Sequence, residues 1–248
     1  MISSNVLYTD LSAYYDVLCA DINYQQQSQA IARIAGLFGN GGKQHVDLAC
    51  GTAPHIWHLL QQGYQCTGLD LNQPMLDLAA IRCPEAQFMQ QDLCHFQLAE
   101  PVDLITCLLY SIHYSASLAG LQSCLRHVSQ ALRPGGVFCF NAVDKDRISN
   151  QLSASHSSEY QQSRFTFASS WYYSGQGEQQ ALNLQISRET AGHTEQWQDS
   201  HTMVAVSFTE LLALLAPYFE VHVLEHDYQR IQPWDTQSGN ALFVCVKR

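Results

Sequence analysis

Val46-Asp47-Leu48-Ala49-Cys50-Gly51-Thr52-Ala53, with Gly68-Leu69-Asp70 following, is the stretch on which the fold turns. The apolar run Val46 to Ala49 reads as a first strand, and Gly51-Thr52-Ala53 turns it into a helix carrying Ile56, Leu59 and Leu60. Small residues at such a turn let the backbone approach a ligand closely, and a helix starting there presents unsatisfied N–H groups. Gly63 suits a C-cap. A second strand, Gln65 to Leu69, ends at Asp70, nineteen residues after Gly51. An acid in that place can accept both hydroxyls of a ribose. By themselves these features leave nicotinamide, flavin and S-adenosylmethionine (SAM) ligands all open.

Outward from this stretch the alternation continues. Residues 23–38 set Ile31, Ile34, Ala35, Leu37 and Phe38 on one helical face before Gly39, Gly41 and Gly42. Gln73-Pro74 opens a helix with Met75, Leu76, Leu78 and Ala79 turned inward, since proline suits a first turn. Strands follow at Ala86 to Gln90 and Val102 to Leu109, then a helix from about Ser117 to Leu132. Arg133-Pro134-Gly135-Gly136 turns the chain into a fifth strand, Val137 to Asn141. Strands alternating with helices of this length predict a Rossmann-like, mostly parallel α/β sheet of seven strands with helices on both faces, its ligand beyond the strand carboxyl ends. Beyond residue 143 the pattern changes. Residues 144–163 are polar, and Arg164 to Tyr173, Gln180 to Glu189 and Glu195 to Val206 alternate as three antiparallel inserted strands. Ser207 and Glu210 form a capping-box signature, and Phe219 to Glu225 and Asn240 to Val246 complete the sheet, the last strand antiparallel. Four regions result: an N-terminal helical lid segment (1–42), a ligand-binding core (43–143), a β-rich insertion (144–206) and a C-terminal completion (207–248).

VDLACGTAPH resembles the first motif of class I SAM-dependent methyltransferases, and GLDLNQPMLDLA resembles the second. QQDL is similar to their adenine-edge motif, and LRPGGVF to the turn before strand five. Together the four motifs cover about residues 43–142, in the family's order. The resemblance extends to small bacterial members with a β-insert. It implies that Asp47, Ala49, Cys50, Gly51 and Ala53 line the methionine part of SAM. Asp70 takes the ribose, Leu71 and Met75 pack on adenine, Gln91, Asp92 and Leu93 meet its edge, and the Leu108 backbone meets the methionine amine. Tyr14-Tyr15-Asp16 is similar to the family's aromatic entry, with Tyr15 the preferred pocket residue and Tyr8 and Tyr14 close behind. Ala53 departs from the usual glycine but stays small, so SAM binding is expected to survive. A nicotinamide site would need G-x-G-x-x-G, and Gly51 is alone in its turn.

The resemblance implies methyl transfer to a nitrogen or oxygen nucleophile with S-adenosylhomocysteine (SAH) as product, a reaction that depends on alignment and at most one base. Candidates beyond strands four and five are Tyr110, Ser111, His113, Tyr114 and Asn141. His113 is the candidate base, with Tyr15 and Asn141 as further catalytic candidates. The alternative is a non-catalytic SAM- or SAH-binding module acting through its insert, which would otherwise serve as a substrate lid or a homodimer contact. No acceptor motif names the substrate, and a small molecule is expected. The net charge of −10 with no basic run disfavours nucleic acid as partner. Nine cysteines without a CxxC pair read as inert thiols in a reducing cytoplasm, with no metal site. No stretch reads as a signal peptide or membrane span.

Overall fold

The structure is a computed structural model that describes residues 6–8, 11–151 and 153–248. The opening five residues, on which the signal-peptide expectation partly rests, lie outside them. Two sheets organise the chain. The larger holds β1 (Gln44–Leu48), β2 (Gln65–Asp70), β3 (Gln87–Gln90), β4 (Val102–Cys107), β5 (Leu132–Val143), β10 (Phe219–Glu225) and β11 (Asn240–Lys247) in the order β10-β11-β5-β4-β1-β2-β3. Among these seven strands only β11 runs against its neighbours, pairing antiparallel with β5 and β10. The expected doubly wound sheet is therefore present.

The sequence makes this sheet because its central strands are apolar on both faces. All six residues of β4 are buried. Ile105 points into a core with Phe138, Phe140 and helix α5 (Leu118–Ala131), while Leu104 points into another with Ile34, Ile56 and Leu76. Those last three come from α2 (Tyr24–Phe38), α3 (Pro54–Leu60) and α4 (Gln73–Arg82), which cover the opposite face. A strand buried on both faces has no polar side to expose, so it reads as a continuous apolar run. The capping box of Ser207 and Glu210 opens α6 (Phe208–Leu215) as expected.

Three local expectations are corrected. Leu37 is 70% exposed, because the buried stripe of α2 runs through Ile31, Ile34 and Ala35 and carries it toward solvent. Arg133 to Gly136 is not a separate turn; it lies within β5, where the pairing with β4 shifts register. The smaller sheet has four strands and not three. Besides β7 (Ser163–Tyr173), β8 (Gln179–Thr190) and β9 (His193–Val204), residues Ser153–Tyr160 form edge strand β6. Both faces of β6 are largely solvated, so no apolar alternation marks it. Phe165, Phe167, Leu184 and Ile186 on this sheet pack against Leu7, Leu11 and Leu18, joining the insert to the N-terminal segment and short helix α1 (Tyr15–Leu18).

Candidate functional site

At the carboxyl ends of β1, β2 and β4 two adjoining cavities open. The larger encloses about 730 Å³ and is walled by Ala49, Gly51, Asp70, Leu71 and Asn72 from the first two strand ends. Gln91, Asp92 and Leu93 bound it beyond β3, and Tyr8, Tyr15, Ser111 and Tyr114 close it. The smaller, about 310 Å³, is bounded by Asp47, Cys50, Leu108 and Leu109, with Tyr24, Pro54 and His55 on its helical side. Tyr15, Ala49, Gly51 and Ser111 wall both.

The chain makes this space by bending sharply. Ala49, Gly51 and Ala53 have φ of 55°, 55° and 63°, and Leu109 and Tyr110 after β4 have 53° and 63°. Left-handed backbone at non-glycine residues is costly, and clusters of it mark sites held by their surroundings. Gly51 also presents a bare backbone: a Cβ there would lie 3.8 Å from the Tyr15 ring, in the gap the two cavities share. Pro54 takes the first position of α3, as its missing N–H allows.

Two buried carboxyls face this space. Asp70 accepts hydrogen bonds from the Gly51 N–H at 2.9 Å, the Asn72 N–H at 2.8 Å and the Asn72 amide at 3.2 Å. Burial pushes its pKa above the usual carboxyl value, and these donors oppose that shift. The Asn72 side-chain oxygen is itself buried with no donor among the described residues. Asp47 accepts from the Thr106 hydroxyl at 2.6 Å, as their paired register on β1 and β4 dictates. Burial lifts Asp47 to a pKa of about 7 despite that bond. The Thr106 oxygen lies 2.8 Å from His45 Nε2, and burial lowers His45 to about 3, so a neutral imidazole donates there. No Lys or Arg lines either cavity among the described residues. Acids without cations favour a cationic or neutral ligand.

Of the residues expected at the site, the structure brings together Tyr15, Asp47, Ala49, Cys50, Gly51, Asp70, Leu71, Gln91, Asp92, Leu93 and Leu108. Six line neither cavity: Tyr14, Ala53, Met75, Tyr110, His113 and Asn141. Ala53 is fully buried beneath α3, and Met75 is 1% exposed within the packing of α4. The ring of His113 is wholly enclosed: Nδ1 donates to the Val204 carbonyl at 2.9 Å and Nε2 accepts from the Val143 N–H at 3.0 Å. Burial lowers it to about 4, and with both nitrogens engaged it is a brace between β5 and β9 instead of a base at the cleft. Asn141 accepts from the Tyr110 N–H at 3.2 Å and reaches His226 at 3.3 Å, fixing the bend after β4. Tyr14 turns away, packing on Phe165 and accepting from Arg188. Sequence reading missed Asn72, Tyr24 and His55; the position of Asn72 two residues past Asp70 was the available signal.

Comparison with known proteins places this geometry. Residues 46–136 match the family described as "Methyltransferase domain". Over 92 residues the chain is 35% identical to the dTDP-4-amino-2,3,4,6-tetradeoxy-D-glucose N,N-dimethyltransferase of Saccharopolyspora spinosa; the match covers 37% of either chain, so the chain spans little more than a third of that relative's length. The crystal structure of Streptomyces venezuelae DesVI superposes with a TM-score of 0.83 at 21% identity, over 97% of this chain and 99% of that one. SAM-bound CalS10, an amino pentose methyltransferase from Micromonospora echinaspora, gives 0.81 at 19%, covering 97% of each. Residues 46–136 thus match a methyltransferase domain, and the chain as a whole has the fold of the class I SAM-dependent methyltransferases.

Proposed function

We propose that this chain transfers a methyl group from SAM to the amino group of a small acceptor of the amino sugar class, releasing SAH. The observation that carries the reading is the joined pair of cavities, which offers buried acids at both ends and no cation in its lining. SAM bears an ammonium and a sulfonium, and its ribose needs an acceptor of two hydroxyl protons. Asp47 matches the ammonium and Asp70, with Asn72 beside it, matches the ribose. Gln91, Asp92 and Leu93 would hold the adenine edge. SAM supplies the methyl group; the protein's own part is to align an amine with it and to exclude water. The named relatives that methylate amino sugars support nitrogen as the nucleophile.

The larger cavity is not filled by its lining side chains, and an acceptor would sit beside Tyr8, Ser111 and Tyr114. That favours an enzyme over a binding module, whose acceptor channel a side chain would plug. Nine free thiols, eight of them buried, and the absence among the described residues of any helix long and apolar enough to cross a membrane support the cytoplasm.

The test is SAH release with SAM and a panel of amines containing dTDP-4-amino-2,3,4,6-tetradeoxy-D-glucose and free amino sugars. The reading expects mass gains of whole methyl groups on nitrogen for at least one panel member. Methylation confined to hydroxyl acceptors, or SAM binding with no turnover on any amine, would contradict it.

A further inference from the structure

Four polar side chains from three distant segments form one partly buried line that ends at the larger cavity. Asp199 and His201 lie two apart on β9, so both point to the same face of the insert. His201 is wholly buried, and its Nε2 is 2.9 Å from the Asp199 carboxylate, whose side chain is 10% exposed. The other ring nitrogen, Nδ1, meets the Tyr114 hydroxyl, and that hydroxyl is 2.8 Å from the Tyr8 hydroxyl. The Leu7 N–H also donates to Asp199, at 3.2 Å. Tyr8 and Tyr114 both line the cavity.

With a neutral imidazole the hydrogen bonds admit one set of proton positions. A carboxylate only accepts, so His201 carries its proton on Nε2 and offers a lone pair at Nδ1. Tyr114 must then donate to Nδ1, which leaves its oxygen to accept from Tyr8 and from the cavity side. An apolar interior makes such a chain expensive unless every member is satisfied. Nothing in the packing of the insert needs it, since Phe165, Phe167, Leu184 and Ile186 already join that sheet to the N-terminal segment. Burial holds both phenols well above the ordinary phenol range, so both stay protonated and Tyr114 can take a proton only as it gives up its own.

We propose that Tyr114, backed by His201 and Asp199 of the insert, is the proton exit for the acceptor amine. This inference rests on the amine-methylating reading above. An acceptor ammonium gives one proton to the Tyr114 oxygen as the hydroxyl proton of Tyr114 moves to His201 Nδ1. The amine is left with a free electron pair, which forms the nitrogen–carbon bond as the carbon–sulfur bond of the methyl donor breaks. His201 becomes an imidazolium opposite Asp199, and its proton returns to water when product leaves. Tyr114 is the group that touches the acceptor; His201 and Asp199 are positioning residues acting through it.

The experiment uses the full chain with Tyr114→Phe, His201→Gln and the double variant. With SAM and whichever panel amine the parent methylates, each single variant lowers kcat about 100-fold, the contribution usual for one proton-transfer group. KM for SAM stays within about twofold for His201→Gln, whose side chain is outside the cavity. The double variant falls no further than the worse single one, because the two act as one line. Unchanged kcat in either single variant, or losses that multiply, would overturn the proposal. A second readout needs no turnover: nitrogen NMR of the imidazoles shows His201 protonated at Nε2, with its Nδ1 signal shifted by Tyr114→Phe. His201 protonated at Nδ1, or a signal indifferent to Tyr114→Phe, overturns the relay even if amines are methylated. If no amine is methylated while the NMR signature holds, the amine reading fails and the relay is refuted as its proton exit.

Discussion

The Gly51 N–H donates to the Asp70 carboxylate at 2.9 Å, so the turn after the first strand and the acid ending the second are tied together. One hydrogen bond therefore sets both the backbone of the turn that the two cavities share and the orientation of the acid at the end of β2. It explains why the site can be formed in advance: three N–H donors hold Asp70 and leave one of its roughly four acceptor sites free, with the unpartnered Asn72 side-chain oxygen beside it among the described residues.

Replacing that acid separates binding from folding. Asp70→Ala is expected to weaken SAM by roughly 1–3 kcal/mol through loss of charge-assisted hydrogen bonds. Asp70→Asn should recover part of the loss, since the amide still accepts through one oxygen. Calorimetric titration of both variants checks this, and parental affinity in Asp70→Ala would remove Asp70 from the ribose role.

Asp47 gives the affinity a pH dependence whose sign is fixed. Burial holds it at about 7, above the ordinary carboxyl value, so it is half protonated near neutrality. The ammonium of SAM pairs with the carboxylate form. Affinity should therefore fall as pH drops through 7, approaching tenfold per unit below it. Asp70, also raised by burial, acts in the same direction. Thr106→Val removes the hydroxyl that lowers Asp47 and should move the midpoint upward. Titrations between pH 5.5 and 8.5, about three units around that value, measure both effects; an affinity that rises on acidification would refute the pairing.

Gly51→Ala tests the bare backbone. With φ at 55° an alanine costs about 1–2 kcal/mol of folding stability. Its methyl also lies 3.8 Å from the Tyr15 ring, in the passage shared by the two cavities. The expected result is a lower melting temperature together with weaker SAM and SAH binding. A change in melting temperature alone would place the ligand away from this passage.

His113→Ala separates a brace from a base. It leaves the Val143 N–H and the Val204 carbonyl without their imidazole partner in a sealed interior, for a loss of roughly 2–4 kcal/mol. Chemical denaturation should show that loss, while turnover per folded molecule stays near the parent's at low temperature. Intact stability with collapsed turnover would return His113 to the chemistry.

These contrasts show which features a sequence can carry. Asp47, Gly51 and Asp70 were legible because each sits at a strand end whose chain direction fixes where it points, within 24 residues of one another. His113 was placed correctly after the fourth strand, but proximity in the chain does not say which way a ring turns, and contacts from β5 and β9 turn this one inward. Met75 was legible as an inward residue of its helix, and its helix phase directs it into the core. Strand β6 was invisible because pairing with β7, and not an apolar face, makes it a strand. The line from Tyr8 to Asp199 joins residues 191 positions apart through Tyr114 and His201, and no local pattern encodes such a meeting.

The central claim is that the joined cavities hold SAM. Calorimetric titration of the ligand-stripped protein with SAM and SAH, and with NADH as control, addresses it without any knowledge of the acceptor. Micromolar binding of SAM and SAH at one site per chain, with no heat from NADH, is the predicted result. Absence of SAM and SAH binding in a folded sample, or equal binding of NADH, would contradict it.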